Sequence, residues 1–340
     1  MIKPWIFEFC PAFDGATGAE DYSWYSDLWV RAEAIGFEGI FFSEHHFRPG
    51  GLSPSPNLLI ATVAARTRTL RLGAMGVVVP LYEPWRVAEE AAMLDQLSGG
   101  RLEFGLSSGS GPMEPLRVGI PAGEIRPRFA EALEILDKAL TRPRFSHQGR
   151  FWKFDDLVIA PRPLQQPRPP MWVAGMSPEA AEMCARRNYG FCTGFLPVSR
   201  VRELFERYQA EAHRAGGAAG PGRVALRRQV LISDDAAEAA EMGKGAFGQM
   251  SAMLSGGAPD RGREVPDAPA ARHGPMLSPE ECIAGTPAAV AEQIVVQCRQ
   301  ARCAHILGYS FGPLTRAQLS RSYELWRQVI PVLRKAEIAP

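Results

Sequence analysis

Short apolar runs of strand length alternate with stretches of helical apolar spacing along most of the 340 residues. That rhythm leaves few architectures open. Strands that alternate with helices pair in parallel and are covered by the helices between them. The strand-like runs are "PWIFEF", "FEGIFFS", "LRLGAMGVVVP", "RLEFGLSSG", "PMWVAG", "YGFCTGF", "VALRRQVLIS" and "CAHILGYSF". Helix-like sequence follows each of them. "EDYSWYSDLWVRAEAIG" stops at Gly36, and "PWRVAEEAAMLDQLSGG" has Pro84 near its start and a glycine pair at its end. Eight such units predict an α/β fold, a (β/α)8 TIM barrel in one domain spanning residues 1–340, since about 250 residues suffice for the barrel itself. A doubly wound open sheet is the alternative. Two stretches break the rhythm. Residues 142–170 are proline-rich and contain "RFSHQGRFWKF", which predicts an inserted hairpin turning at Gln148-Gly149. Residues 249–279 are rich in glycine and proline and weakly patterned, which predicts a mobile, lid-like insertion.

Composition narrows the function. The net charge is +1 and no Lys/Arg run or basic stripe occurs, so no nucleic-acid partner is expected. No segment approaches about 18 uninterrupted apolar residues, so no membrane span is expected. The N-terminal "MIKPWIFEFCPAFDG" lacks the apolar core of a secretion signal, and a cytoplasmic protein is expected. The six cysteines, Cys10, Cys184, Cys192, Cys282, Cys298 and Cys303, form no C-x-x-C pair and read as reduced thiols.

The chemistry concentrates in "FFSEHHFRPGG", at the end of the second strand-like run. Side chains alternate across a strand, so Ile40, Phe42 and Glu44 share one face and Phe41, Ser43 and His45 the other. His45 and His46 then diverge, which argues against a shared metal. His147, His213, His273 and His305 show no ligand spacing either, and no metal site is expected. The C-terminal end of a barrel strand is the active-site face, where a histidine can serve as acid or base. A structural hydrogen-bonding histidine is an equally open reading of the residues alone.

Two glycine-containing turns lie at other strand ends. "GLSSGSGPMEP" has G-x-G at Gly109 and Gly111, but Glu114 stands where the dinucleotide fingerprint needs glycine or alanine. Its serines, Ser107, Ser108 and Ser110, and its backbone N–H groups could still accept a phosphate. In "VAGMSPEAA", Ser177 is a helix N-cap with Pro178 behind it, and a helix N-terminus on this face can also hold an anion.

Taken together, "SEHHF", the helix pattern P-x-x-x-A-E-x-x-x-x-L-D-x-x-S-x-G-R over residues 84–101, "WVAGMSPEAAEMCARRNYG" and "GTPAAVAEQI" resemble the bacterial luciferase-like flavin-dependent monooxygenases nearly end to end. The resemblance implies a TIM barrel binding reduced FMN at its C-terminal face. It implies an oxidoreductase in which dioxygen adds to the reduced flavin, and the resulting (hydro)peroxide oxygenates a small apolar organic substrate. A separate NAD(P)H-dependent flavin reductase would supply the reduced FMN. A homodimer packed through "NLLIATVAART" and "VAEEAAMLDQL" is also implied. Related barrels use a deazaflavin and transfer hydride, and a non-catalytic flavin-binding relative is a third possibility. By the resemblance, His45 is the acid or base beside the flavin and His46 its neighbour. Met75 and Gly76 match a cis peptide beneath the flavin ring, and Ser107 lies near its reactive face. Gly175, Met176 and Ser177 match the phosphate-binding turn. Two positions depart from the luciferases, which carry an arginine at Ser108 and an acidic residue at Met176. The missing arginine leaves Arg126 or Arg128 as a substitute phosphate ligand.

Overall fold

The computed structural model describes residues 1–48, 50–110, 113–254 and 277–339. Its eleven strands are β1 (Lys3–Glu8), β2 (Gly39–Phe42), β3 (Arg71–Val78), β4 (Leu102–Ser107), β5 (Phe145–Gln148), β6 (Lys153–Leu157), β7 (Met171–Ala174), β8 (Gly190–Thr193), β9 (Val224–Ile232), β10 (Cys282–Gly285) and β11 (His305–Tyr309). The helices are α1 (Gly18–Ile35), α2 (Pro56–Ala64), α3 (Pro84–Leu97), α4 (Met113–Arg117), α5 (Ala122–Thr141), α6 (Pro178–Arg186), α7 (Val198–Arg214), α8 (Ala236–Leu254), α9 (Pro287–Ala301) and α10 (Arg316–Lys335).

Parallel pairing runs β9-β11-β1-β2-β3-β4-β7-β8, and β8 pairs back onto β9. The eight-stranded parallel sheet is therefore closed, as the eight-unit rhythm predicts. β5 and β6 form a separate antiparallel hairpin. β10 is a ninth parallel strand, paired with the C-terminal half of β9. The sequence reading missed it because "CIAG" is too short to stand out from the helix that follows. Helix α8 runs on to Leu254, so the first residues of the stretch expected to be a lid are helical. Residues 255–276 of that stretch lie outside the described residues.

Two apolar layers follow from the alternation of side chains on each strand. Ile40, Phe42, Leu72, Phe104, Phe191 and Ile306 face outward and pack under the helices. Trp5, Phe7, Phe41, Met75, Trp172 and Tyr309 fill the barrel interior. Strands buried on both faces read as nearly continuous apolar runs, which is why the sequence showed the strands and not their faces. The interior cluster extends upward to Met250 and Leu277, with Phe247, Met253 and Leu254 packed against it. The end of α8 and Leu277 thus sit over the C-terminal mouth.

Among the described residues, no helix is long and apolar enough to cross a membrane.

Candidate active site

The mouth of the barrel is built from strand ends, and the end of β2 carries its densest polar group. Beyond Phe42 the chain stays tied to β1 by the Ser43 amide, which donates to the Glu8 carbonyl at 2.9 Å. His45 follows two residues later. Its ring lies parallel to that of Phe9, with centroids 6.0 Å apart and planes within 6°. Its Nδ1 stands 3.5 Å from Glu114 Oε1, close enough for an ion pair and long for a hydrogen bond.

Glu114 comes from α4, a short helix directly after the glycine-serine turn. Pro115 falls in the first turn, where a missing N–H removes no helical bond. The Glu114 side chain is buried and accepts from the His46 amide at 3.2 Å, with Arg48 Nε 3.5 Å away. Burial pushes its carboxyl up, but His45, the His46 amide and Arg48 together outweigh burial and hold it below the ordinary value. A charged acceptor therefore faces His45.

His46 diverges from His45, as the alternation predicts. Its Nε2 donates to Glu44 Oε1 at 2.9 Å, and Tyr82 Oη donates to the same oxygen at 3.0 Å. The hydrogen bond to Glu44 raises the His46 imidazole above its usual range, and partial burial opposes it. Burial, then the charge of Glu44, pushes the Tyr82 phenol up. The two histidines thus have different carboxylates, Glu114 and Glu44, and share no ligand position. Among the described residues no three His, Cys, Asp or Glu side chains converge to hold a metal.

On the neighbouring strands, the Met75–Gly76 peptide bond is cis. The β3–β4 register shifts between Ala74 and Val77. A Cβ on Gly76 would lie 2.6 Å from the Leu106 backbone, so only glycine fits there. Ser107 ends β4, and its Oγ accepts from the Gly109 amide at 2.9 Å. Ser108 is partly buried beside it. Arg48 Nη2 reaches Ser110 Oγ at 3.2 Å, which joins this loop to the β2 end.

The third element is the turn from β7 into α6. A Cβ on Gly175 would come within 2.8 Å of Ala180 Cβ, so the turn lies tight on its own helix. Met176 is exposed. Ser177 caps α6, its Oγ accepting from the Ala180 amide at 3.3 Å. Glu179, in the first turn, is held below the ordinary carboxylate value by its own backbone N–H and the Ser177 hydroxyl, with Arg126 adding to the effect. Arg126, with Arg207, is thus one of two cations whose charge reaches this helix end. Arg128 is engaged elsewhere: it pairs with Glu124 at 3.1 Å and lies over the Phe151 ring at 4.6 Å.

Among the described residues, several buried polar atoms at the mouth find no hydrogen-bond partner: Ser43 Oγ, His45 Nδ1, Glu114 Oε2, Arg227 Nε and Gln229 Oε1. Each such atom costs about 1–3 kcal/mol if left unmet, so the mouth suits a ligand with a polar, heterocyclic face. A flavin ring meets that description. Sequence reasoning named His45, His46, Met75, Gly76, Ser107, Ser108, Gly175, Met176 and Ser177. All of them lie at the C-terminal ends of β2, β3, β4 and β7. It missed Glu114, Tyr82 and Arg227, since only folding brings them to the β2 end or the barrel interior.

The model for the luciferase-like monooxygenases matches residues 6–304. The chain is 32% identical to the uncharacterized protein y4wF of Sinorhizobium fredii over 304 residues, 88% of each chain. It is 31% identical to the oxygenase component of the flavin-dependent trigonelline monooxygenase of Acinetobacter baylyi, over 66% of this chain and 63% of that protein. The crystal structure of monooxygenase RslO1 from Streptomyces bottropensis superposes with a TM-score of 0.86 at 25% identity, covering 97% of this chain and 99% of that one.

Proposed function

Since the chain belongs to the luciferase-like monooxygenase family, we propose that it is the oxygenase component of a two-component, FMN-dependent monooxygenase acting on a small organic molecule. The observation that carries this reading is His45, aimed at the barrel mouth beside the charged Glu114 and among unmet polar atoms. Reduced FMN, when bound, supplies the electrons that activate dioxygen. Its ring would lie against the β3 and β4 ends at Met75, Gly76, Ser107 and Ser108. Its phosphate would lie toward Gly175, Met176 and Ser177, with Arg126 replacing the arginine absent at Ser108.

The protein's own part is then specific. His45 accepts or returns a proton at the ring it faces, and Glu114 stabilises the charged imidazole. The interior aromatics and the end of α8 exclude water from the mouth. The reduced flavin comes from a separate NAD(P)H-dependent reductase, in keeping with the missing dinucleotide fingerprint. Exposed Leu58, Met93 and Leu97 on α2 and α3 support a homodimer through those helices, which sedimentation equilibrium would read directly.

The test is to mix the anaerobic complex of protein and reduced FMN with aerated buffer and follow the oxidised-flavin absorbance. Reoxidation slower than that of free reduced FMN is expected. His45→Ala should change the rate about 100-fold, at the low end of the range for acid–base catalysis, and Glu114→Gln should change it less. Reoxidation at the free-flavin rate, together with tight binding of a deazaflavin, would move the protein to the hydride-transfer branch of this barrel.

A further inference from the structure

β9 stands three strands from β2 around the barrel, in the order β9-β11-β1-β2. It carries two consecutive arginines with opposite fates. Arg228 points outward and is fully buried. It is paired with Glu281 at 2.8 Å, and it donates to Gln297 Oε1 at 2.7 Å and to the Leu196 carbonyl at 3.0 Å. Arg227 points inward and has none of these. Its guanidinium carbon lies 4.2 Å from the Phe195 ring centroid and 4.9 Å from that of Phe7, with Tyr309 at 6.0 Å. Its Nε is buried and has no partner among the described residues.

Two aromatic faces stabilise a guanidinium but leave its in-plane donors unused. Glu281 is a carboxylate whose charge interacts with Arg227, and its oxygens are already committed. Oε2 accepts from Arg228 and from the Phe195 amide at 2.6 Å, and Oε1 accepts from Tyr309 Oη at 3.1 Å. Two guanidinium groups thus share one carboxylate, and among the described residues Arg227 has no ion pair of its own. Next to it, Gln229 Oε1 is also unmet.

The position is held rather than incidental. Phe195 adopts a left-handed backbone (φ 66°), uncommon for a non-glycine residue. Glu281 fixes its amide, and the Ser278 amide donates to its carbonyl at 3.3 Å. Rings then link Arg227 to His45 without a break. Phe7 meets Phe9 edge-on at 5.0 Å, and Phe9 stacks on His45.

We propose that Arg227 binds an anionic group of the organic substrate, a carboxylate or comparable oxyanion on an apolar or aromatic body that lies along this aromatic wall toward His45. The inference rests on the monooxygenase reading for what happens at His45, but the anion site stands on its own geometry. The same guanidinium could instead serve an anionic part of the flavin, so the experiment separates the two sources.

Three carboxylates, benzoate, 2-naphthoate and decanoate, are titrated against their uncharged carboxamides by tryptophan fluorescence, with and without FMN. At least one carboxylate should bind about tenfold or more better than its amide, as one charge-assisted hydrogen bond allows. Arg227→Gln should abolish that preference and Arg227→Lys should keep part of it. FMN affinity should change less than about twofold in both variants. If no carboxylate is preferred by the wild type, or the preference survives in Arg227→Gln, the proposal is wrong. A preference that stays while FMN binding collapses assigns Arg227 to the cofactor and also overturns it. Should Arg227→Gln fail to fold, the wild-type comparison and Arg227→Lys decide. An anion preference in a protein that does not delay flavin reoxidation would leave this site standing and remove the monooxygenase reading.

Discussion

His46 shows how a hydrogen bond to a buried carboxylate, helped by the charges of Glu44 and Glu114, shifts a titration. Its Nε2 donates to a carboxylate that is itself almost fully buried, and this raises the imidazole above its usual 6.5. A raised value in the folded state means the fold binds that proton more tightly than the unfolded chain does. The stability gained is complete below 6.5 and is lost as the pH rises through the raised value. Melting temperature should therefore fall across that window in the wild type. Glu44→Gln, which removes the charge but keeps an acceptor, should flatten the fall. A steeper fall in the variant would mean that Glu44 does not govern His46. His45 lacks such a bond, so the pair divides into one fixed ring and one that faces the mouth. Alternation along β2 predicts that divergence from sequence. Nothing in the sequence predicts the carboxylate opposite His45. Glu114 stands 69 positions away on a helix of five residues with a proline inside, too short for an apolar period to show.

At the level of elements, the turn into α6 separates capping from anion binding. Ser177 does the first by its bond to the Ala180 amide, so Ser177→Ala should cost about 1 kcal/mol in urea unfolding. Ser177→Asp should keep the cap, since a carboxylate accepts equally well there. Only the second role, proposed for the FMN phosphate, distinguishes these variants. Ser177→Asp should weaken FMN binding at least as much as Ser177→Ala despite its restored stability. Glu179→Gln should strengthen it by removing a competing negative charge from the same helix end. FMN affinities that simply follow stability would remove the turn from the phosphate site. The cap was legible because serine, proline and an apolar period fall in a fixed order. The choice between Arg126 and Arg128 was not. Both lie on α5 two residues apart, and only the folded hairpin shows Arg128 spent on Glu124, Phe151 and Trp152.

For the whole molecule, the closed barrel decides which side of each strand is inside, and "LRRQ" in β9 shows the consequence. A strand buried on both faces carries no clear polar–apolar alternation, so the sequence offers two adjacent arginines and no means of ranking them. Closure sends Arg227 to the interior and Arg228 to the layer beneath the helices, where Glu281 meets it from the segment leading into β10. That buried pair joins β9, the Phe195 loop, Tyr309 on β11 and α9 through Gln297. Deleting one partner should cost far more than a surface pair would. It leaves a guanidinium uncompensated in the interior and two further donors without an acceptor. Glu281→Ala should lose about 3–5 kcal/mol in urea unfolding. Glu281→Gln should lose less, because its carbonyl oxygen still receives the Phe195 amide. The same substitutions act on function through position. Without Glu281, the Phe195 amide loses its acceptor and only the Ser278 bond to its carbonyl still ties the left-handed turn over Arg227, so the aromatic clamp at the mouth loosens. A Glu281→Gln protein that is folded but shows a weakened carboxylate-over-amide preference would tie the stability of β9 to recognition at the mouth. A preference unchanged in that variant would show that Phe7 and Phe195 hold Arg227 without help from the buried pair.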